Sequence, residues 1–258
     1  MSADTYARSG QRWADGAELV YRPIAAELIT LCPHPLAGRT VLDAGAGTGA
    51  ASAALRTRHA RTLAIDLSAG MLARNATARP PGAVADVLAL PLADGSVDDA
   101  VAAFVLNHLT DPWSGFAELA RVTRPGGVIL AAAFSNRSHS QARDQIDAVA
   151  EAAGWRAPSW YAELKSSALP ILGCSDGMTA AARAAGLADV HAEERPVDVG
   201  VSEPAQLVRY RLGHPAFACW LDAIGVVRAG AVATSAARAI RGMPPYRPVV
   251  MFLSACRP

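Results

Sequence analysis

Thr40-Val41-Leu42-Asp43-Ala44-Gly45-Ala46-Gly47-Thr48-Gly49-Ala50 decides the fold. Thr40 to Asp43 reads as a short buried strand, and the Gly-rich turn after it leads into a helix over Ala50 to Arg58. A strand, a turn with three glycines and a helix bring bare backbone close to a ligand, because glycine permits the tight turn and leaves no side chain in the way. The helix N-terminus adds unpaired N–H groups and a partial positive charge. Glycines alone leave the ligand open, since Gly45-Ala46-Gly47-Thr48-Gly49-Ala50 also fits the GxGxxA form of a dinucleotide fingerprint.

Working outward, strands and helices alternate. Arg61 to Asp66 reads as a second strand ending in an acid, and Ser68 is placed to cap a helix to about Ala78. Ala83–Val87 and Val97–Phe104 read as the third and fourth strands. Asp111-Pro112 opens another helix, with Asp as N-cap and Pro at the first helical position. Pro125-Gly126-Gly127 turns the chain into a fifth strand, Val128–Phe134. This alternation implies right-handed crossovers and a parallel sheet covered on both faces. Residues 135–175 break it with one helix (Ala142–Ala153) and the aromatics Trp155, Trp160 and Tyr161, and read as an inserted cap. A helix Thr179–Ala185, a strand Val190–Val199, a helical stretch from about Pro204 to Ala239 and a last strand Arg247–Ala255 follow. Residues 1–36 read as amphipathic helix, with Tyr6, Trp13, Leu19, Val20, Ile24, Leu28 and Leu31 on one face and Pro23 interrupting. The expectation is a single α/β domain over 1–258: N-terminal helices (1–36), a cofactor-binding core (37–134), the cap insert (135–175) and the C-terminal part of the sheet (176–258).

Asp43 breaks the tie between ligands. It stands two residues before the first glycine, where a carboxylate repels a pyrophosphate and attracts a cation. S-adenosylmethionine has no phosphate and carries both an ammonium and a sulfonium, so the acid favours it over NAD.

Here the chain resembles the class I S-adenosylmethionine-dependent methyltransferases, in particular the small-molecule group that includes the quinone-biosynthesis enzymes. The resembling blocks are Val41 to Gly49, Ile65-Asp66-Leu67-Ser68-Ala69-Gly70-Met71-Leu72, Ala85-Asp86-Val87, Leu90 to Asp98, Val105-Leu106-Asn107-His108-Leu109 and Arg124-Pro125-Gly126-Gly127, in the family's order across roughly 38–135. The resemblance implies a Rossmann-like, seven-stranded, mostly parallel sheet with one antiparallel strand. It implies that Asp66 accepts the ribose hydroxyls, that Leu67 and Met71 pack on adenine, and that Asp86 with the Val87 N–H reads the base's edge. Gly45, Ala46, Gly47 and Gly49 then lie along the methionine part, Asp43 holds its ammonium, and Ala103 or Phe104 borders the sulfonium.

The function expected is transfer of the methyl group to O, N or C of a small organic acceptor in specialised metabolism, leaving S-adenosyl-L-homocysteine. A protein that binds the cofactor without transferring its methyl, a cyclase or a regulatory module, is the alternative. His108 and His139 are candidate bases, with a structural hydrogen bond and a solvated loop as their plainer readings. Tyr21, Trp155, Trp160 and Tyr161 are candidate walls for a planar acceptor, or core. Asp98 and Asp99 sit at the wrong end of the fourth strand for a metal, so none is expected. Pro244-Pro245-Tyr246 lies far from the place where amine methyltransferases carry a similar block, and reads as a turn.

With 52% hydrophobic and 18% charged residues the chain can bury a core, and its net charge of +1 with no basic stripe argues against nucleic acid. The cysteines Cys32, Cys174, Cys219 and Cys256 lack metal or disulfide spacing and read as free thiols. No leader pattern stands at the N-terminus, and the apolar stretch Phe217–Ile240 is broken by Asp222, Arg228 and Arg238. A cytoplasmic protein without a membrane partner is therefore expected; the oligomeric state is not legible.

Overall fold

The computed structural model describes residues 3–74 and 79–258, with side chains described from residue 12 onward except at 164 and 165. The expected helix end near Ala78 and the side chain of Tyr6 lie outside the described residues.

Seven strands form one sheet: β1 (Thr40–Ala44), β2 (Arg61–Asp66), β3 (Gly82–Val84), β4 (Asp99–Ala103), β5 (Val128–Phe134), β6 (Ala188–Pro196) and β7 (Val249–Cys256). Their order is β3-β2-β1-β4-β5-β7-β6, and β7 alone runs antiparallel, pairing with both β5 and β6. The chain starts at β1, steps outward to β3 and returns across β1 to β4. The reversal beside β1 opens a crevice at the strands' C-terminal ends, where ligands bind in open α/β sheets. The inner strands are apolar on both faces because helices cover both, as Val41, Leu42, Ala100, Val101, Ile129 and Leu130 show by being buried.

Several boundaries differ from the sequence reading. β3 ends at Val84 because it is an edge strand whose ladder with β2 stops at Asp66, so Ala85-Asp86-Val87 turn out of the sheet. Phe104 leaves β4 with a φ of +62°, a left-handed conformation that a bulky residue adopts only where its surroundings hold it. The long C-terminal helical stretch is two helices, α9 (Pro204–Leu212) and α10 (Pro215–Ala239), separated at Gly213-His214; α10 itself breaks at Gly225, which has a φ of +76°.

Pro23 does not interrupt the first helix. α1 (Ala3–Thr30) runs through it, although an interior proline removes a hydrogen bond at about 3 kcal/mol. The buried stripe Ala17, Val20, Ile24, Ala25 and Leu28 compensates by packing α1 against α2 (Ala50–Thr57), α9 and α10. Ser68 caps α3 (Ala69–Leu72) as expected, accepting from the Met71 N–H at 3.3 Å. Asp111 caps α4 (Pro112–Val122), accepting from Trp113 and Ser114 N–H groups at 3.0 and 3.2 Å.

Residues 135–175 hold α5 (Gln141–Ala152), α6 (Ser159–Ser167), α7 (Leu169–Leu172) and the start of α8 (Ser175–Ala184). α5 packs on α9 and α10. α10 has the length and apolar composition of a membrane span; its first turns, with Phe217 and Leu221, are buried against this helical layer, while Val226 and Val227 beyond them are exposed.

Candidate functional site

A cavity opens at the C-terminal ends of β1, β2 and β4 and is roofed by α1. Its sheet side begins with Asp43 at the end of β1. That carboxylate is 1% exposed and accepts from Ser52 Oγ at 2.5 Å; burial pushes its pKa up to about 6. The loop that follows carries Gly45, Gly47 and Gly49 at φ +68°, +51° and +99°. A Cβ on Gly45 would collide with the side chain of Val105, so the tight approach of the two loops requires glycine. Gly49 forms no part of the cavity wall; it is the N-cap of α2.

Asp66, at the end of β2, is held by backbone alone. Gly47 N–H donates to Oδ2 and Ser68 N–H to Oδ1, both at 2.8 Å. Burial raises its pKa, while those two N–H groups and Arg79 oppose the rise. Each carboxylate oxygen keeps a lone pair for a further donor. Leu67, half exposed, and Met71, buried, continue the wall, followed by Asp86 and Val87 beyond β3. Asp86 Oδ1 accepts from Leu88 N–H at 2.9 Å, which fixes the turn.

At the end of β4, Ala103 and Phe104 border the cavity's centre, with Phe104 N–H donating to Ala132 O at 2.9 Å. His108 lines the cavity from a 3₁₀ turn over Leu106–His108, and burial pushes its pKa down to about 4. The imidazole is therefore neutral and weakly basic, a poor match for an unactivated hydroxyl.

Opposite stand Trp13, Glu18, Tyr21 and Ala25, all from α1. Tyr21 stacks on Trp13 at 5.3 Å between ring centroids and meets the Phe104 ring edge-on at 4.8 Å. Glu18 pairs with Arg22 at 2.5 Å.

Besides Gly49, four sequence candidates lie outside this cavity. His139 is exposed on the surface, 3.4 Å from Asp144. Trp155 is core: it stacks on Phe217 at 4.2 Å and donates from Nε1 to Ala216 O at 3.0 Å. Tyr161 is buried, accepting from Arg211 Nη1 at 3.2 Å, with Trp160 packed edge-on against it. The physical reason is the same for all three aromatics. The insert needs an apolar filling of its own against α9 and α10, and that layer consumes them. Among the described residues none of 135–175 lines the cavity; α1 forms its roof.

Two residues that the sequence reading missed belong to the cavity's surroundings. Glu18 lines it, and Arg79 donates to Gly47 O and, at 2.6 Å, to Arg74 O, in the field of Asp43, Asp66 and Glu18. No local motif marks either one. Among the described residues no three His, Cys, Asp or Glu side chains group as a metal site.

Residues 42–131 match a methyltransferase domain family. With the strand order described above, the chain is similar in this region to methyltransferase domains and shares the fold of solved S-adenosylmethionine-dependent methyltransferases. It is 39% identical over 103 residues to a demethylmenaquinone methyltransferase of Mycolicibacterium paratuberculosis, covering 40% of this chain and 45% of the relative. It is 38% identical over 139 residues to a malonyl-[acyl-carrier protein] O-methyltransferase of Serratia marcescens, covering 52% and 54%. The chain thus spans about half the length of the curated relatives it matches. Among solved structures, Haemonchus contortus phosphoethanolamine N-methyltransferase 2 in complex with S-adenosyl-L-methionine shares the fold, with a TM-score of 0.58, 17% identity, and coverage of 91% of this chain and 52% of that one.

Proposed function

We propose that this chain binds S-adenosyl-L-methionine in the cavity beneath α1 and transfers its methyl group to O, N or C of a small organic acceptor, releasing S-adenosyl-L-homocysteine. The observation that carries the reading is the alignment of Asp43, Asp66 and Asp86 at three strand ends along one cavity, with the glycine loop between the first two. A cation, a ribose diol and an adenine amino group call for acceptors in that sequence. The lone pairs left on Asp66 suit the two ribose hydroxyls, in charge-assisted hydrogen bonds of roughly 1.5–3 kcal/mol each. Leu67 and Met71 suit the adenine faces, and Asp86 with the Val87 N–H suits its edge. Gly45, Ala46 and Gly47 leave room for the methionine part, whose ammonium faces Asp43 directly or through water; Gly49 supports that loop as the α2 cap.

The cofactor supplies a methyl carbon activated by positive sulfur. Methyl transfer neutralises charge, so the protein's share is alignment and exclusion of water, which can supply effective molarities of about 10⁵ M. Phe104, Tyr21 and Trp13 supply that dry, flat surround. His108, neutral and weakly basic, fits a structural role better than that of a base, and His139 is too far out on the surface to serve.

The acceptor is read as a small molecule, with neither nucleic acid nor membrane as partner and a cytoplasmic setting. Placement in specialised metabolism rests on the sequence reading, while the relatives' names point to quinone and acyl-carrier substrates.

Calorimetric titration with S-adenosylmethionine tests the cofactor site. Asp66→Ala should weaken binding about tenfold or more, since it removes hydrogen bonds to a charged group; an unchanged affinity would sink the ribose assignment. Methyl-labelled cofactor offered with a broad acceptor panel tests transfer. Binding without transfer of label would turn the reading toward a cyclase or regulatory binder.

A further inference from the structure

In the methyl-transfer reading the cofactor takes up Asp43, the glycine loop, Asp66, Met71 and Asp86, which leaves α1 and the end of β4 to face the acceptor. That remainder is aromatic and acidic. Trp13, Glu18 and Tyr21 stand on α1, with Phe104, Val105 and Leu109 on the other side. Glu18 and Tyr21 are three residues apart on the helix and so share one of its faces. The Tyr21 and Trp13 rings are stacked with 27° between their planes, and Phe104 packs in turn on Phe134 at 4.7 Å. Rings fixed by one another offer a flat ligand a surface at little further cost in side-chain entropy.

The charge lining the cavity has one sign. The four carboxylates of Glu18, Asp43, Asp66 and Asp86 line it, and among the described residues no arginine or lysine does. Two cations stand outside the lining. Arg22 pairs with Glu18, but its side chain is 58% exposed against 15% for Glu18, so solvent screens the pair from the outer side. Arg79 is spent on the carbonyl oxygens of Gly47 and Arg74. His108 is neutral, because burial lowers its pKa to about 4. A bound cofactor adds a single net positive charge, and its ammonium goes to Asp43. The Glu18 carboxylate remains, on the wall that the acceptor meets. An anion entering such a cavity is repelled, the more strongly for the low dielectric, and it loses hydration that no cation replaces.

We propose that the acceptor is a flat aromatic compound carrying a basic amine, with its ring against Tyr21, Trp13 and Phe104 and its ammonium held by Glu18, and that the same wall turns away acceptors carrying a carboxylate or phosphate. This rests on the methyl-transfer reading and narrows its acceptor. Two attractions act together. A carboxylate offers about four lone-pair sites, so Glu18 can accept from a donor besides Arg22. The faces of Trp and Tyr rings attract a cation through their quadrupole, most strongly where water is excluded. Rejection of anions is specificity by repulsion, and it costs the favoured ligand nothing. The amine is the anchoring group in this arrangement, and Glu18 is a binding residue.

The test uses three probes that share one ring system and differ in charge: naphthylmethylamine, naphthylmethanol and naphthoate. Each is titrated by calorimetry, at neutral pH, into the full chain saturated with S-adenosylhomocysteine. The amine should bind about tenfold more tightly than the alcohol, and the carboxylate about tenfold more weakly than the alcohol. Glu18→Gln should weaken the amine several-fold and strengthen the carboxylate. Misfolding would weaken all three together, so responses of opposite sign separate loss of charge from loss of fold. A carboxylate that binds as tightly as the amine would overturn the proposal, as would an alcohol that outbinds the amine. So would an amine-to-carboxylate ratio unchanged in Glu18→Gln, or a wild type that binds S-adenosylhomocysteine and none of the probes. Failure to bind S-adenosylmethionine or S-adenosylhomocysteine at all would instead bring down the methyl-transfer reading on which the proposal stands.

Discussion

Along the sheet side of the cavity, Asp43, Gly45 and Gly47 lie within five residues and Asp66 ends the next strand: Ser52 holds Asp43, two N–H groups fix Asp66, and left-handed glycines shape the loop. Along the helical side, Tyr21 comes from α1, and its support comes from Tyr210, Tyr246 and Arg143, drawn from three other parts of the chain. The first side is a local structure that any chain with this motif can build. The second is an assembly of side chains that exists only once α1, α5 and α9 have packed. One wall therefore suits a constant ligand, and the other can be rebuilt for a different acceptor without disturbing it.

The largest test of that division is Trp155→Ala. Trp155 belongs to the helical layer and touches no part of the cavity, so its truncation should cost about 3–5 kcal/mol of stability while the folded fraction keeps its cofactor affinity. Chemical denaturation and calorimetry on the same sample would check it; a selective loss of cofactor affinity at unchanged stability would break the comparison.

Gly45→Val acts on the other wall. The new side chain meets Val105, and the φ of +68° is unfavourable for a branched residue. Cofactor affinity should fall roughly 100-fold, equivalent to about 3 kcal/mol, with a smaller loss in thermal stability. An effect confined to stability would show that the loop does not face the ligand.

The pH dependence of Asp43 sharpens the comparison further. Its folded pKa, about 6, lies above the ordinary 3.8 because of burial. The contribution to stability is thus complete below the ordinary value and is lost as pH rises through about 6. A cationic ligand favours the carboxylate, so cofactor affinity should rise several-fold between about pH 5 and pH 7, with proton release. Asp43→Asn should flatten that rise and lift the melting temperature at pH 8 more than at pH 4. A binding isotherm with the same pH dependence in both proteins would place the ammonium elsewhere.

Much of the fold was legible in sequence because parallel strands buried on both faces and Gly-rich turns leave local signatures. Strand ends were less so. β3 stops where its only partner stops, and the turn at Phe104 depends on neighbours that the local pattern does not contain. Of the acceptor candidates, Tyr21 lines the cavity and Trp155, Trp160 and Tyr161 do not, since an aromatic residue in a helical insert packs a core and lines a cavity with the same composition. Arg79 and Glu18 escaped notice because each meets the loop only across the folded molecule.

The sequence by itself determined the loop opened by Asp43, the alternation that builds the parallel sheet, and the three acids at its strand ends. These rest on backbone preference and on hydrophobic period, both readable over a few residues. The tertiary structure decided which helix roofs the cavity, which aromatics face it, and that Tyr21, Tyr210 and Tyr246 meet in one layer behind it. Those depend on packing between distant segments, and burial and charge compensation are properties of the packed whole.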